Sequence, residues 1–532
     1  MSIWDQFGDE QYLSLVPWAR FQLVSAGASG PFSFIGGVAP EVVDSLQKAY
    51  GLLINSVEAA MTDAFAGKAS LEDPMLRARV EDAYAELVMS RQDLRAHIRC
   101  GRERDGTFRW EFPVDPAQRP QVNFSALQLV NGLTKQTTSL DVDSAMTPAV
   151  GKLLGVLQGT HRVSEVRQVT AAVGPQLEMK LIRLLETLNE QQCVTASAHA
   201  SVRAYWLANT HDRDTVHLGH AGLLYRQRDG FLLFDPWLVP WFAEAPVPSL
   251  WGGSLPKPTA IFLTHEHSDH LDQRTLLQMP KDIPVIVPSR KNRRTLYYDY
   301  RAILGAMGFT QVVELAHGER WGFDGGVVEA VPFYGEDPCD LELPRNCYLI
   351  ADRGHNTLVH ADSGPTNDGR SPVKEGVIDH LVRRNGPILT VFASQQQLLE
   401  VRARTVTASL SPPGHWLERG ENGYLTSSYL GHLVAGARAR LFVSYATGGA
   451  DWFPASLPFV FSSSRPAGKA LLAANWERME ELGAQLRAQD CDYHVARALD
   501  IFRVRPNGGT QVVDGSEQFD PSRLFGVDAS VG

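Results

Sequence analysis

The sequence predicts an α/β protein: a layered α/β domain over residues 203–532, preceded by a mixed, mainly helical N-terminal domain over residues 1–202. Three observations predict it. Beyond about residue 203, short apolar runs alternate with helical stretches, the order of elements that builds a layered sheet-and-helix domain. Before it, apolar residues recur at helical spacing. The 532 residues are 44% hydrophobic and 21% charged, a globular composition able to bury a large core.

In chain order, residues 39–65 and 71–97 read as amphipathic helices, with Pro40 placed for a first helical turn. The Pro-rich, polar stretch 108–127 reads as extended and linking. At 147–200, Leu153, Leu154, Val156 and Leu157 precede Val163 and Val166, and Leu181, Leu184, Leu185 and Leu188 form a late helical stripe. Short helices ending in a longer one are similar to a winged-helix-like module. Two readings stand there, a docking module for peptides or carrier proteins and a helical spacer or dimerisation unit. Residues 216–225 read as one strand and 230–237 as its hairpin partner, with Asp229-Gly230 as the turn signal. Further strands are expected at 260–264, 284–287, 311–315, 327–333, 346–351, 357–361, 388–393 and 440–445, and helices at 272–279, 297–308, 374–383, 424–436 and 467–489. The tail 511–532 reads as irregular.

Composition excludes several classes. With 50 Lys+Arg against 60 Asp+Glu, the net charge is −10, which argues against a nucleic-acid partner. No uninterrupted run of about 18 apolar residues is present, so no membrane span is expected. The first residues carry acids and lack the basic flank of a secretory signal, so a cytoplasmic location is expected. The five cysteines, Cys100, Cys193, Cys339, Cys347 and Cys491, never form a C-x-x-C pair, so neither a disulfide framework nor a thiolate zinc site is expected.

One constellation carries chemistry: His265, Glu266, His267, Ser268, Asp269 and His270, directly after the apolar run Ala260 to Leu263. Three imidazoles and a carboxylate in six residues are a dense set of first-row metal ligands. Alternate side chains of an extended segment point the same way, so His265 and His267 are placed to grip one metal. Where the chain turns towards a helix, Asp269 and His270 face a second.

The motif resembles the H-x-H-x-D-H signature of the metallo-β-lactamase superfamily, and the Phe234-Asp235-Pro236-Trp237 hairpin end resembles that fold's opening. The resemblance covers roughly residues 203–505 and implies an αββα sandwich with a dinuclear site between its sheets. It also assigns slots further along. The third-histidine slot holds Glu336 instead, the bridging slot holds Asp362, and the last-histidine slot holds Tyr445. The implied shell is His265, His267, Glu336 and Asp362 around one metal, with Asp269, His270 and the shared Asp362 around the other.

This carboxylate-rich set fits iron. With the long N-terminal extension, it is similar to the non-haem diiron β-hydroxylases of nonribosomal peptide biosynthesis, the chloramphenicol-pathway type. That resemblance implies a diiron cluster, O2 as co-substrate, two electrons from an external donor, and an amino acid held as a thioester on a peptidyl carrier domain. It also implies a homodimer through the N-terminal half. Glu336 is then expected to rearrange when substrate docks, and Tyr445 to hydrogen-bond to a metal-bound species. The rival reading is a dinuclear zinc or manganese hydrolase, a phosphodiesterase or lactonase, which expects histidine where Glu336 and Tyr445 stand.

Of the remaining polar residues, Asp235 is expected to fix a ligand histidine through its ring N–H, and Glu266 to point away from the metals. His217 and His220 flank Gly219 and read as core or supporting groups, with one of them open as a lining residue. His360 shares a strand face with Asp362 and reads as a supporting contact or a buried structural histidine. Trp237, Phe333 and Tyr334 read as core or pocket wall, and Cys339 and Cys347 as structural. The basic run at 289–294 reads as a solvated helix start or as a contact for a phosphate or an acidic carrier domain.

Overall fold

The computed structural model describes residues 3–25, 35–36, 99–102, 108–111, 117, 120, 124–197, 202–238, 250–267, 269–292, 297–335, 343–366, 369–395, 425–446, 479–505, 509–520 and 524. The helices expected over 39–65 and 71–97 lie outside these residues, as do Glu336 and Cys339.

Side chains on a strand alternate between its faces, and here both faces are apolar. In Gly230–Phe234, Leu232 and Phe234 belong to one core and Leu233 to another. In Asn346–Asp352, Tyr348 and Ile350 join that first core while Cys347 and Leu349 face a third. Two sheets therefore share an inner core, and helices cover their outer faces.

The first sheet runs Val312–Leu315, Val285–Pro288, Ala260–Phe262, Gly230–Phe234, Gly222–Gln227, Thr215–Gly219, Ile501–Val504, Thr510–Val513. The second runs Arg320–Phe323, Gly326–Pro332, Asn346–Asp352, His355–Ala361, Ile388–Ser394, Leu441–Tyr445, Asp492–Val495. The helices Gln273–Gln278 and Tyr300–Ala306 bury Leu276, Leu277, Ile303 and Leu304 against Leu233, Ile261 and Val285. The helices Val377–Asn385 and Ser427–Ala437 bury Ile378, Leu381, Leu430 and Leu433 against Leu358, Val391 and Phe442. The layers are αββα. Among the described residues no helix is long and apolar enough to cross a membrane.

Three expectations change. The single strand at 216–225 is two antiparallel strands, Thr215–Gly219 and Gly222–Gln227, because Gly219 (φ 110°) and His220 (φ 49°) turn the chain through left-handed backbone. The supposed linker at 108–127 contributes to sheets. Phe108–Glu111 pairs with Arg99–Arg102, and Phe124–Asn131 lies between Ala19–Ser25 and Thr137–Asp141 with Phe124, Leu127 and Leu129 buried. The tail expected to be irregular supplies the edge strand Thr510–Val513.

Ahead of the sandwich stand the helices Met146–Val156, Val163–Ala171 and Pro175–Glu190. With them is a three-stranded sheet in which Tyr12–Leu15 lies between Gln158–Arg162 and Val194–Ser197. Pro175 sits in the first turn of its helix, where a missing N–H costs nothing. Leu181, Leu184, Leu185 and Leu188 are all buried. They belong to the same apolar cluster as Leu153, Leu154, Leu276 and Ile303, so one core runs through both halves of the chain. Met146–Val156 approaches through bare backbone: a Cβ on Gly151 would stand 1.8 Å from the Met307 carbonyl oxygen and one on Gly155 2.6 Å from that of Met279. Gly151→Ala gains helix propensity yet is expected to destabilise the protein by about 3 kcal/mol, the upper end for overpacking. A melting temperature equal to or above that of the parent protein would contradict this contact.

Candidate metal centre

The site stands where strands end. Asp235 follows Gly230–Phe234, the motif follows Ala260–Phe262, Asp362 follows His355–Ala361, and Tyr445 closes Leu441–Tyr445. Those four strands run in the parallel portions of the two sheets, so their C-terminal ends gather at one rim, the usual position of sites in parallel sheets.

Asp235 organises the loop. One carboxylate oxygen accepts the Thr264 N–H at 2.8 Å, and the other accepts the Thr264 hydroxyl at 2.6 Å and lies 2.8 Å from His270 Nδ1. The His270 and Leu271 N–H groups then close a turn onto the His267 carbonyl at 3.0 and 2.7 Å. Asp272 caps the helix that follows by accepting the Thr275 N–H. Asp235→Asn leaves a single oxygen for these three donors. Metal affinity is expected to fall about 10- to 100-fold, as when a partner that orients a ligand is lost. Titration with metal under equilibrium dialysis checks it, and an unchanged affinity would remove Asp235 from this role.

Two groups of ligand atoms converge. His265, His270 and Asp362 are buried and bring one ligand atom each within 4.8 Å of one another; His220, Asp269 and His270 do the same. Asp362 Oδ2 lies 2.8 Å from His270 Nε2 and 3.8 Å from His265 Nε2. The His265 and His270 rings are 3.9 Å apart. Buried carboxylates and imidazoles packed this closely require a compensating charge. The donors are nitrogen and oxygen, while the Cys347 thiol lies buried beside His360. The set therefore fits a first-row metal pair bound by imidazole and carboxylate.

The predicted residues are distributed unevenly. His265, His270 and Asp362 come together, and Asp269 joins through His270. The His267 ring is 4.5 Å from that of His265, yet its Nε2 faces Arg345 Nη2 at 3.1 Å, and it belongs to neither group. Glu336 lies outside the described residues. Tyr445 is fully buried in the core between the sheets. Burial, with the negative charges of Asp235 and Asp362, raises its hydroxyl well above the usual tyrosine range, so it keeps its proton.

Sequence reasoning missed Arg345, which has no motif around it. The residue is buried and forks onto Glu266, with Nε 3.0 Å from Oε2 and Nη2 on Oε1, and its guanidinium lies 5.5 Å from the centre of the Phe333 ring. Burial raises the Glu266 carboxyl, and the Arg345 charge and hydrogen bonds outweigh it and hold the group down at about 2. Glu266 thus anchors a cation beside the site. His220 Nε2 reaches Asp269 Oδ2 at 3.2 Å, whereas His217 turns its Nε2 to the His220 carbonyl at 2.7 Å. Trp237 and Phe333, open between core and pocket wall, touch site imidazoles, with ring centroids 4.6 Å from His220 and 5.3 Å from His265. His360 does not share a direction with Asp362, because Ala361 at φ 51° breaks the strand alternation. Its Nε2 is 3.0 Å from the Tyr429 hydroxyl, and burial pushes the imidazole down to about 3. In the basic run, Arg290–Asn292 forms a single short helical turn with exposed Arg290 and Lys291.

Residues 231–376 match the family model described as the β-lactamase superfamily domain. The sandwich is a metallo-β-lactamase fold. The crystal structure of CmlA, a diiron β-hydroxylase from Streptomyces venezuelae, is similar with a TM-score of 0.53 at 16% identity, covering 95% of this chain and 99% of that one. The likeness thus takes in the N-terminal half as well as the metallo-β-lactamase sandwich. In sequence, the chain is 30% identical over 199 residues to the 4-amino-L-phenylalanyl-[CmlP-peptidyl-carrier-protein] 3-hydroxylase of Streptomyces venezuelae, and 29% identical over 169 residues to the cytidine monophosphate-N-acetylneuraminic acid hydroxylase of Mus musculus. These matches cover 36% and 30% of this chain, and 35% and 28% of the relatives.

Proposed function

We propose that the chain is a diiron oxygenase that β-hydroxylates an amino acid tethered as a thioester to a nonribosomal peptide synthetase carrier domain, using O2 and two electrons from an external donor. The observation that carries this reading is the nitrogen-and-oxygen cluster of buried His265, His270 and Asp362 with half-buried Asp269 beside it, and a buried tyrosine rather than a histidine at the last strand end. The full-length likeness to a diiron β-hydroxylase and the partial matches to two hydroxylases support it.

His265, His267, Glu336 and Asp362 would hold one iron, and Asp269, His270 and the shared Asp362 the other. When bound, the metal pair supplies O2 binding and the electron transfers. One oxygen atom enters the β C–H bond, and the other leaves as water with two electrons and two protons from the donor. The chain does the rest. Asp235 and Thr264 orient His270 and hold the loop, Phe333 and Trp237 keep water from the imidazoles, and Tyr445 offers a hydroxyl donor near Asp362. Arg345, fixed by Glu266, places a positive charge beside His267, where it favours an anionic group. The N-terminal half would serve dimerisation or carrier-domain docking.

Elemental analysis after aerobic purification from iron-replete cells tests the metal. Two irons per chain support an oxygenase; two zincs favour the hydrolase reading and sink this one. Mass spectrometry of carrier domains loaded with different amino acids, incubated with protein, reductant and O2, tests the substrate through the gain of one oxygen atom.

A further inference from the structure

The turn that carries His220 is held in left-handed backbone. His220 takes φ 49°, a region that non-glycine residues populate sparsely and that gathers at functional positions. Its carbonyl oxygen accepts the Ala446 N–H at 3.0 Å and lies 2.7 Å from His217 Nε2. The turn of the first sheet is thereby fastened to the second sheet at the residue after Tyr445. Ala446 is itself left-handed at φ 55°, so both sides of the contact are backbone that a regular strand would not adopt.

The side chain is buried as tightly as the backbone is held. His220 is 6% exposed, and its imidazole sits edge-on to the Trp237 ring with centroids 4.6 Å apart and directs Nε2 to Asp269 Oδ2 at 3.2 Å. The His270 ring is 5.9 Å away, and the ligand atoms of His220, Asp269 and His270 lie within 4.8 Å of one another. An apolar or small residue would fill a turn packed on tryptophan. A buried imidazole that brings its Nε2 within reach of a carboxylate and a second imidazole is instead placed as a ligand.

We propose that His220 is a protein ligand of the second metal, beside Asp269 and His270, and that the His220 turn takes over the coordination position that Tyr445 leaves without a histidine at the neighbouring strand end. The inference rests on the dinuclear reading above and adds a residue that the H-x-H-x-D-H motif does not contain. With it the second metal gains a fourth protein donor beside Asp269, His270 and the shared Asp362.

The test uses the full chain loaded with Co(II). Wild type is expected to bind two equivalents. His220→Ala is expected to keep the first and to weaken the second by more than about 100-fold, beyond the range for a residue that only orients a ligand. His220→Cys is expected to restore the second equivalent and to show a near-ultraviolet sulfur-to-cobalt charge-transfer band absent from wild type, whose own cysteines serve as the control. That band decides the matter even if the alanine variant does not fold. Two equivalents of unchanged affinity in His220→Ala, or a weaker second equivalent with no such band in His220→Cys, would overturn ligation by His220 and leave the dinuclear site standing. A wild type that binds fewer than two equivalents would overturn both.

Discussion

His270→Ala is expected to strip the protein of metal. This imidazole belongs to both converging groups, with Nδ1 2.8 Å from Asp235 and Nε2 2.8 Å from Asp362. Removing it takes one nitrogen from the site and leaves Asp235, Asp269 and Asp362 as neighbouring carboxylates without the imidazole between them. Affinity is expected to fall by well over the roughly 100-fold limit seen for supporting residues, and the proposed hydroxylation with it. Binding to the folded state stabilises it by about 2.7 kcal/mol when free ligand stands at 100 times Kd. Added metal should therefore raise the melting temperature of metal-depleted wild type and leave that of His270→Ala where it was. A variant with full metal content and the same thermal shift would show that His270 is not the shared ligand.

Glu266→Ala should be the most destabilising change outside the ligand set. Both Glu266 and Arg345 are buried, and removing one partner of such a pair leaves the other charge without compensation, at a cost of about 3–5 kcal/mol. Replacing both with leucine should recover much of that loss, since well-packed apolar residues often match a buried ion pair. The comparison is a double-mutant cycle on melting temperature at fixed metal loading. A loss in the double variant equal to the sum of the losses in Glu266→Leu and Arg345→Leu would mean that the pair is not coupled. The single variant also frees the guanidinium that faces His267, so its metal content should change while that of the double variant stays closer to wild type.

The fold was legible because its signals are periodic. Leu232, Leu233 and Phe234, or Tyr348, Leu349 and Ile350, are apolar on consecutive positions, and such runs bounded by Gly, Asp and Pro read as strands buried on both faces. The hairpin at Asp229-Gly230 and the stripe from Leu181 to Leu188 were legible for the same local reason. Gly219-His220 was not, because a left-handed turn inside an apolar run interrupts the chain without interrupting the pattern. Phe124–Asn131 lay hidden behind the prolines that precede it.

The site divides along the same line. His265, Asp269 and His270 are neighbours in sequence, and Asp362 followed from the resemblance. Asp235 could be assigned because a metal-bound imidazole needs a partner for its other nitrogen. Arg345 is 79 residues from Glu266, and nothing local marks a buried arginine as paired. The direction of His360 depended on one backbone angle at Ala361.

The apolar core shared between the two halves has a practical consequence. A chain trimmed to residues 203–532 would not be a smaller version of the same fold. It would bare Leu276, Leu277, Ile303 and Met307, which are buried in one cluster with Leu153, Leu154 and Leu185, and would present a sticky flank to solvent. The helix directly behind the metal loop would lose its backing. The described helices ahead of residue 203 are in this sense a wall of the sandwich rather than an attachment to it, and attempts to exchange the N-terminal half between relatives should cut elsewhere than at residue 203.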